Sequence, residues 1–398
     1  MKTINLDYGA ATPVDPAVLE AMLPYFREHY GNPSSGHDLG DRPAEALAAA
    51  REEVAALIGA SPGEITFTSC ASEANNTALK GIAAARKKKG KHIITSAIEH
   101  FSVLNPLRTL EKEGYRVTYL PVDRFGLVDP EQLQETITPE TVLVSIMTAN
   151  PEIGTLQPIE ALAEIAREKE VPFHTDVTAA AGFVPLDVAR LKVDLLTLAG
   201  DQLYGPKGSG ALFVRQGLRF LPLIEGGIQE RGRRAGSENI PAIVGLGAAA
   251  RLARETMEER VAQLKAIRDE LKAQLFSRIS HLHLNGHPEE RLPHNLQISV
   301  EFVEGEALLM HLNNAGIYVS SGSTCTSQAL KSSHVLQAIG LSPELAQGSL
   351  LFTLGLENTL ADVPYVVAQL EETAARLRQM SPLYQKHVKE GPGSDDEV

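Results

Sequence analysis

Seven short apolar runs between residues 64 and 215, several of them separated by helix-like stretches, constrain this chain more than any other feature. They are Ile65–Ser69, His92–Ser96, Arg116–Leu120, Val142–Met147, Phe173–Asp176, Asp194–Leu198 and Gly210–Val214. Each is rich in β-branched or apolar residues and too short for a buried helix, which makes it a strand. Between them, Ile159, Leu162, Ile165 and Ala166 fall on one face of a 3.6-residue period. This alternation predicts an α/β fold with a mainly parallel sheet covered by helices. Further on, Met257, Val261, Leu264, Ile267, Leu271 and Leu275 recur at three- and four-residue steps. That spacing predicts a long amphipathic helix from about 252 to 279, leading into a second domain. There, residues 295–300 read as a strand and the segments near 304–314 and 361–380 as helices. No internal repeat is visible.

The chain is long enough, at 398 residues, for two domains with a sizeable core. Its 50 acidic against 37 basic residues give a net charge of −13, which argues against nucleic acid as a partner. No apolar stretch approaches the roughly 20 residues of a membrane span. The first residues, Met1 to Asp7, lack the apolar segment of a signal peptide. Two cysteines cannot form a disulfide framework, so a cytoplasmic location is expected.

Several motifs follow one another in order. They are Leu6-Asp7-Tyr8-Gly9-Ala10-Ala11-Thr12-Pro13, Gly31-Asn32-Pro33-Ser34-Ser35-Gly36-His37, Phe67-Thr68-Ser69-Cys70-Ala71-Ser72-Glu73-Ala74-Asn75-Asn76, Glu99-His100, Asn150-Pro151-Glu152-Ile153-Gly154 and His174-Thr175-Asp176. Then come Gly205-Pro206-Lys207-Gly208, Arg234-Ala235-Gly236-Ser237-Glu238-Asn239 and Ser320-Ser321-Gly322-Ser323-Thr324-Cys325-Thr326-Ser327. Together, from Leu6 to about Tyr384, they resemble the class V aminotransferase-like cysteine desulfurases of the IscS/NifS type. The resemblance implies a fold-type I pyridoxal phosphate transferase architecture, with a seven-stranded sheet in the large domain and a smaller C-terminal α/β domain. It implies a large domain of 15–257, a small domain of 1–14 and 258–385 carrying the Cys325 loop, and a disordered acidic tail at 386–398. A homodimer, and a role in sulfur mobilisation for iron–sulfur clusters, are implied as well.

The same comparison assigns the cofactor contacts. Asp176 matches the aspartate that binds the pyridine nitrogen, and His100 the histidine that stacks on the ring. Ser72 stands for a phosphate-binding threonine, and Ser237 for one that reaches across the dimer. The resemblance places the cofactor-bonding lysine at position 202, where this chain has Gln202. A carboxamide nitrogen delocalises its lone pair and does not condense with an aldehyde, whereas a lysine amine does. Lys207 belongs to the family's own Gly-Pro-Lys-Gly segment and is not a substitute. Ala199 and Asp201 replace phosphate ligands, Pro151 and Ala179 replace ring contacts, and Leu351 occupies the place of a carboxylate-binding arginine. An inward Asp201 would repel phosphate by about 4 kcal/mol at a separation of about 4 Å and intermediate dielectric. Some archaeal-type homologues lack the lysine at the same place, and this chain is similar to them. The expectation is a pocket without pyridoxal phosphate, a degenerate site in a pseudoenzyme.

Cys325 sits among serines, threonines and glycine, in a run that resembles the mobile loop of the family's catalytic cysteine. Its thiolate is expected to accept sulfur or to ligate an iron–sulfur cluster shared with a scaffold protein. Cys70 takes a glycine position and reads as a space-filling residue, with a second ligand or resolving thiol as the alternative. The twelve histidines show no metal-ligand spacing, and His334 reads as structural. Three readings result: a sulfur-transfer protein that works without the cofactor, an authentic pyridoxal phosphate-dependent desulfurase, and an idle structural subunit.

Overall fold

A computed structural model describes residues 3–321 and 333–390. Its first strand, β1 (Ile4–Asn5), pairs in parallel with β11 (Ile317–Tyr318), tying the start of the chain to its C-terminal part. The central sheet contains β2 (Ile65–Thr68), β3 (His92–Ser96), β4 (Arg116–Leu120), β5 (Thr141–Ser145), β6 (Phe173–Asp176), β7 (Leu195–Ala199) and β8 (Gly210–Val214). Its seven strands are ordered β2-β8-β7-β6-β5-β3-β4. The pairs from β7 through β6, β5 and β3 to β4 are parallel, while β8 runs antiparallel to both β7 and β2. The predicted runs agree with these strands to within their ends, because strands covered on both faces read as continuous apolar segments.

A smaller antiparallel sheet, ordered β12-β10-β9, comprises β9 (Leu282–Leu284), β10 (Asn295–Val300) and β12 (Ser349–Thr353). It packs in a core of its own with Leu271, Leu275, Leu308, Leu312, Val366 and Leu370. The large sheet has separate cores on its two faces, one around Phe173, Leu196, Leu198 and Phe213, the other around Leu79, Ile93, Leu143 and Leu212.

One helix, Ile240–Arg278, belongs to both regions. It has 39 residues and therefore spans about 58 Å. Asn239 caps it through its side chain, which accepts from the Ala242 amide at 3.4 Å. Ile243, Leu246, Ala249 and Ala250 face the large-sheet core; Leu264, Ile267, Leu271 and Leu275 face the small-sheet core. The helix begins well before the predicted residue 252 and crosses the expected 257/258 boundary without interruption. A last helix, Pro382–Glu390, extends into the stretch expected to be a disordered tail. None of the described helices is long and apolar enough to cross a membrane.

Candidate functional site

The parallel strands β3, β5, β6 and β7 deliver their carboxyl ends to one edge of the large sheet, where open α/β sheets hold ligands. A cavity of about 270 Å³ lies there. Its walls include Cys70, Ala71, Ser72, His100, Asp176 and Asp201.

Asp176 ends β6 with only 7% of its surface exposed. Both carboxylate oxygens are held, Oδ1 by the Thr178 amide at 2.9 Å and Oδ2 by Asn75 Nδ2 at 2.7 Å. The second Asn75 amide hydrogen goes to Ser102 Oγ at 2.8 Å. Ser102 Oγ in turn lies 2.7 Å from His100 Nδ1, which also accepts from the Ser102 amide at 3.1 Å. With Nδ1 occupied as an acceptor, the His100 ring proton sits on Nε2. An unbroken hydrogen-bond path therefore joins the carboxylate at the floor of the cavity to the imidazole in its wall.

The start of the 16-residue helix Ala71–Arg86 lines one part of the cavity. Its N-cap, Cys70, is extended and makes no side-chain capping bond. The first-turn amides accordingly remain available to an anion, reinforced by the helix dipole. Glu73, in the first turn, folds back toward Ser69, just before the N-cap. It accepts from the Ser69 amide at 2.8 Å and pairs with Arg234 at 3.0 Å, contacts that hold its carboxyl below the usual range against the opposing effect of burial.

Gln202 lines the same cavity, its Nε2 donating to the Gly9 carbonyl at 3.3 Å. Asp201 lines it too, and its own carbonyl accepts from the Thr12 hydroxyl. Lys207 is exposed, does not line the cavity, and donates to the Thr12 carbonyl at 3.2 Å. Among the described residues no lysine or arginine forms part of the wall. Pro151, Ala179 and Ala199 do line it, whereas Leu351 is buried in β12 opposite Gln297.

Of the cofactor residues expected from sequence, His100, Asp176 and Ser72 meet at this cavity. Ser237 does not; it is exposed and stands outside the wall. Cys325, expected as sulfur acceptor and metal ligand, lies outside the described residues. Cys70 is part of the wall, beside the open helix end. His334 is a structural contact, its Nε2 lying 3.0 Å from the Glu99 carbonyl oxygen. Sequence reasoning did not single out Gly9, Leu292, His294 and Thr353 as site residues; they come from distant parts of the chain and line the same cavity. Among the described residues no group of three or more His, Cys, Asp or Glu could hold a metal ion.

Comparison with known proteins identifies the architecture. The aminotransferase class-V family model matches residues 4–366. A protein of Methanosarcina thermophila named cysteine desulfurase IscS is 49% identical over 388 residues, spanning 98% of this chain and 96% of its own length. A solved NifS-like protein superposes with a TM-score of 0.89 at 37% identity, covering 94% of this chain and 100% of that one. The SspA protein, solved in complex with cysteine, has a TM-score of 0.79 at 37% identity, covering 89% and 99%.

These relatives overturn the expectation of a pocket without cofactor. They are named for an activity that depends on pyridoxal phosphate, and they match this chain almost end to end. The expectation rested on Gln202 together with the replacements at Ala199, Asp201, Pro151, Ala179 and Leu351. The held Asp176 carboxylate, the His100 ring and the uncapped helix end share one cavity with Gln202 and Asp201. The chain belongs to the aminotransferase class-V family, with IscS- and NifS-type cysteine desulfurases as its relatives.

Proposed function

We propose that this protein mobilises sulfur from L-cysteine for iron–sulfur cluster assembly, as a pyridoxal phosphate-dependent cysteine desulfurase. The reaction converts L-cysteine to L-alanine and leaves its sulfur on the Cys325 thiol as a persulfide. The observation that carries this reading is the single cavity uniting Asp176, His100 and the open start of the helix Ala71–Arg86. When bound, pyridoxal phosphate supplies an electron sink for bonds at the substrate α-carbon. Asp176 would hold the pyridine nitrogen, His100 would cover the ring, and the helix amides with Ser72 would take the phosphate. Ser237 would contribute from the other subunit of a homodimer, and a scaffold protein would receive the sulfur. Because Gln202 cannot bond an aldehyde, the cofactor is held without a covalent link to that position.

Incubation with pyridoxal phosphate is expected to give a visible absorption band that desalting removes and that borohydride does not fix onto the protein. The loaded protein is expected to form L-alanine from L-cysteine, and Asp176→Ala to weaken cofactor uptake. A band fixed on a lysine refutes the non-covalent attachment; no band and no L-alanine refute the whole reading. Gln202 favours one second reading, in which the cofactor-loaded protein does not cleave cysteine. Cys325 then takes sulfur from another donor or ligates a cluster with the scaffold. A visible band without L-alanine formation, and cluster retention lost in Cys325→Ser, distinguish it.

A further inference from the structure

The cavity has a second wall whose chemistry the cofactor does not use. It is formed by Gly9, Leu292, His294 and Thr353, which lie at or beside the edge of the small sheet. The Thr353 hydroxyl is already engaged, accepting from the Gly9 amide at 2.7 Å. The Gly9 carbonyl accepts from Gln202. Leu292 carries no polar side-chain atom, and its carbonyl accepts from Arg268 at 3.0 Å. His294 is different.

Its backbone is fixed by a 2.8 Å bond from the Leu354 amide to its carbonyl, and its ring lies tilted against Phe183 with centroids 4.1 Å apart. The residue is 8% exposed, and among the described residues no hydrogen bond reaches its imidazole. Nδ1 is shut off from solvent without a partner. Burial, aided by the nearby Arg268 charge, holds its pKa down to about 4, so the ring is neutral near pH 7 and carries one N–H. Because Nδ1 has no access to the cavity, the nitrogen that can meet a ligand there is Nε2, which has no partner among the described residues and is not shut off. With Nδ1 unprotonated, Nε2 carries the N–H.

The charges around it indicate which ligand. Asp176 and Asp201 put carboxylates in the wall, and among the described residues no lysine or arginine does. Asp201 suits the ammonium end of an amino acid. The carboxylate end then needs a donor away from both aspartates, and His294 is the one polar side chain of the second wall not already engaged.

We propose that His294 recognises the substrate, its imidazole N–H donating to the carboxylate of an L-α-amino acid bound over the cofactor. This rests on the desulfurase reading above. The test uses pyridoxal phosphate-loaded protein, with L-alanine as a probe that carries no transferable sulfur and ethylamine as a probe without a carboxylate. Cofactor affinity is measured by absorbance and probe affinity by calorimetry. His294→Phe, which retains an aromatic ring beside Phe183, is expected to weaken L-alanine binding about 10- to 100-fold. Ethylamine and cofactor binding should stay unchanged. His294→Gln, which keeps a donor, should recover most of the L-alanine affinity. If His294→Phe does not fold, His294→Leu carries the same expectation. Cofactor uptake with undiminished L-alanine binding in the Phe or Leu variant overturns the proposal alone. If the wild-type protein takes up no pyridoxal phosphate, the reading beneath it fails first and the proposal falls with it.

Discussion

Glu99 shows how a residue beside the cavity shapes stability. Its Oε1 accepts from Ser96 Oγ at 2.7 Å and the Met147 amide at 2.9 Å, while Oε2 is buried without a partner. Burial pushes its pKa from the ordinary 4.5 to about 8, with the nearby Asp176 charge adding to the rise. Folded protein therefore holds this proton more tightly than the unfolded chain. Its contribution is complete below pH 4.5 and declines as pH rises to about 8. Buried Glu152, raised to about 7, acts in the same direction. Glu99→Gln, an uncharged mimic of the protonated acid, is expected to flatten the decline and to be more stable than wild type at about pH 8. Urea midpoints across that range check it; an unchanged slope refutes it. Asp176 and His100 were legible in sequence because they sit in recognisable motifs. His294 was not, since what distinguishes it is an unpaired ring nitrogen beside a cavity, and only the folded chain brings Phe183, Thr353 and Gly9 to it.

The long helix shows what hydrophobic periodicity detects and what it overlooks. Its second half, with Leu264, Ile267, Leu271 and Leu275, was legible because large apolar residues mark one face. Its first half buries Gly245, Gly247, Ala249 and Ala250, which contribute little to a hydrophobic stripe yet allow close approach. At Gly247 an added Cβ would lie 2.6 Å from Ala50 Cα and 2.7 Å from Ala50 Cβ, on the neighbouring helix Asp38–Leu57. Backbone at that distance cannot yield as a flexible side-chain tip would. Gly247→Val is expected to cost about 1–3 kcal/mol through overpacking. A denaturant titration measures this, and a midpoint equal to wild type would contradict the close packing. The strands of the large sheet were legible because each is buried from end to end, apart from β4 at the sheet edge, whose pattern is mixed.

The exposed surface of the molecule offers support for the proposed homodimer. Leu19, Leu23, Phe26 and Tyr30 are exposed along and just after the first two helices, Pro16–Met22 and Pro24–Arg27, with Phe26 at 58% and Tyr30 at 67%. Apolar side chains clustered this way usually mark a contact surface. The double change Leu23→Asp and Phe26→Asp is expected to convert a dimer into a monomer in light scattering. A dimeric mass in that variant, or a monomeric wild type, would remove this face from consideration. The strands of the large sheet, and the strand at 295–300 in the small one, were readable from periodicity. The linking helix, one uninterrupted rod, was expected only from about residue 252. Its first part, Ile240–Arg251, which packs on the large-sheet core, was not read, since a helix carries no sequence signal where its neighbours change.

That rod limits how a visitor reaches the chemistry. Floor and ceiling of the chamber rest on bodies gripping opposite ends of a single stiff member. Parting them like jaws would require the member to bend. On the proposed function, the two sides of the chamber are expected to keep their spacing while amino acid and vitamin enter.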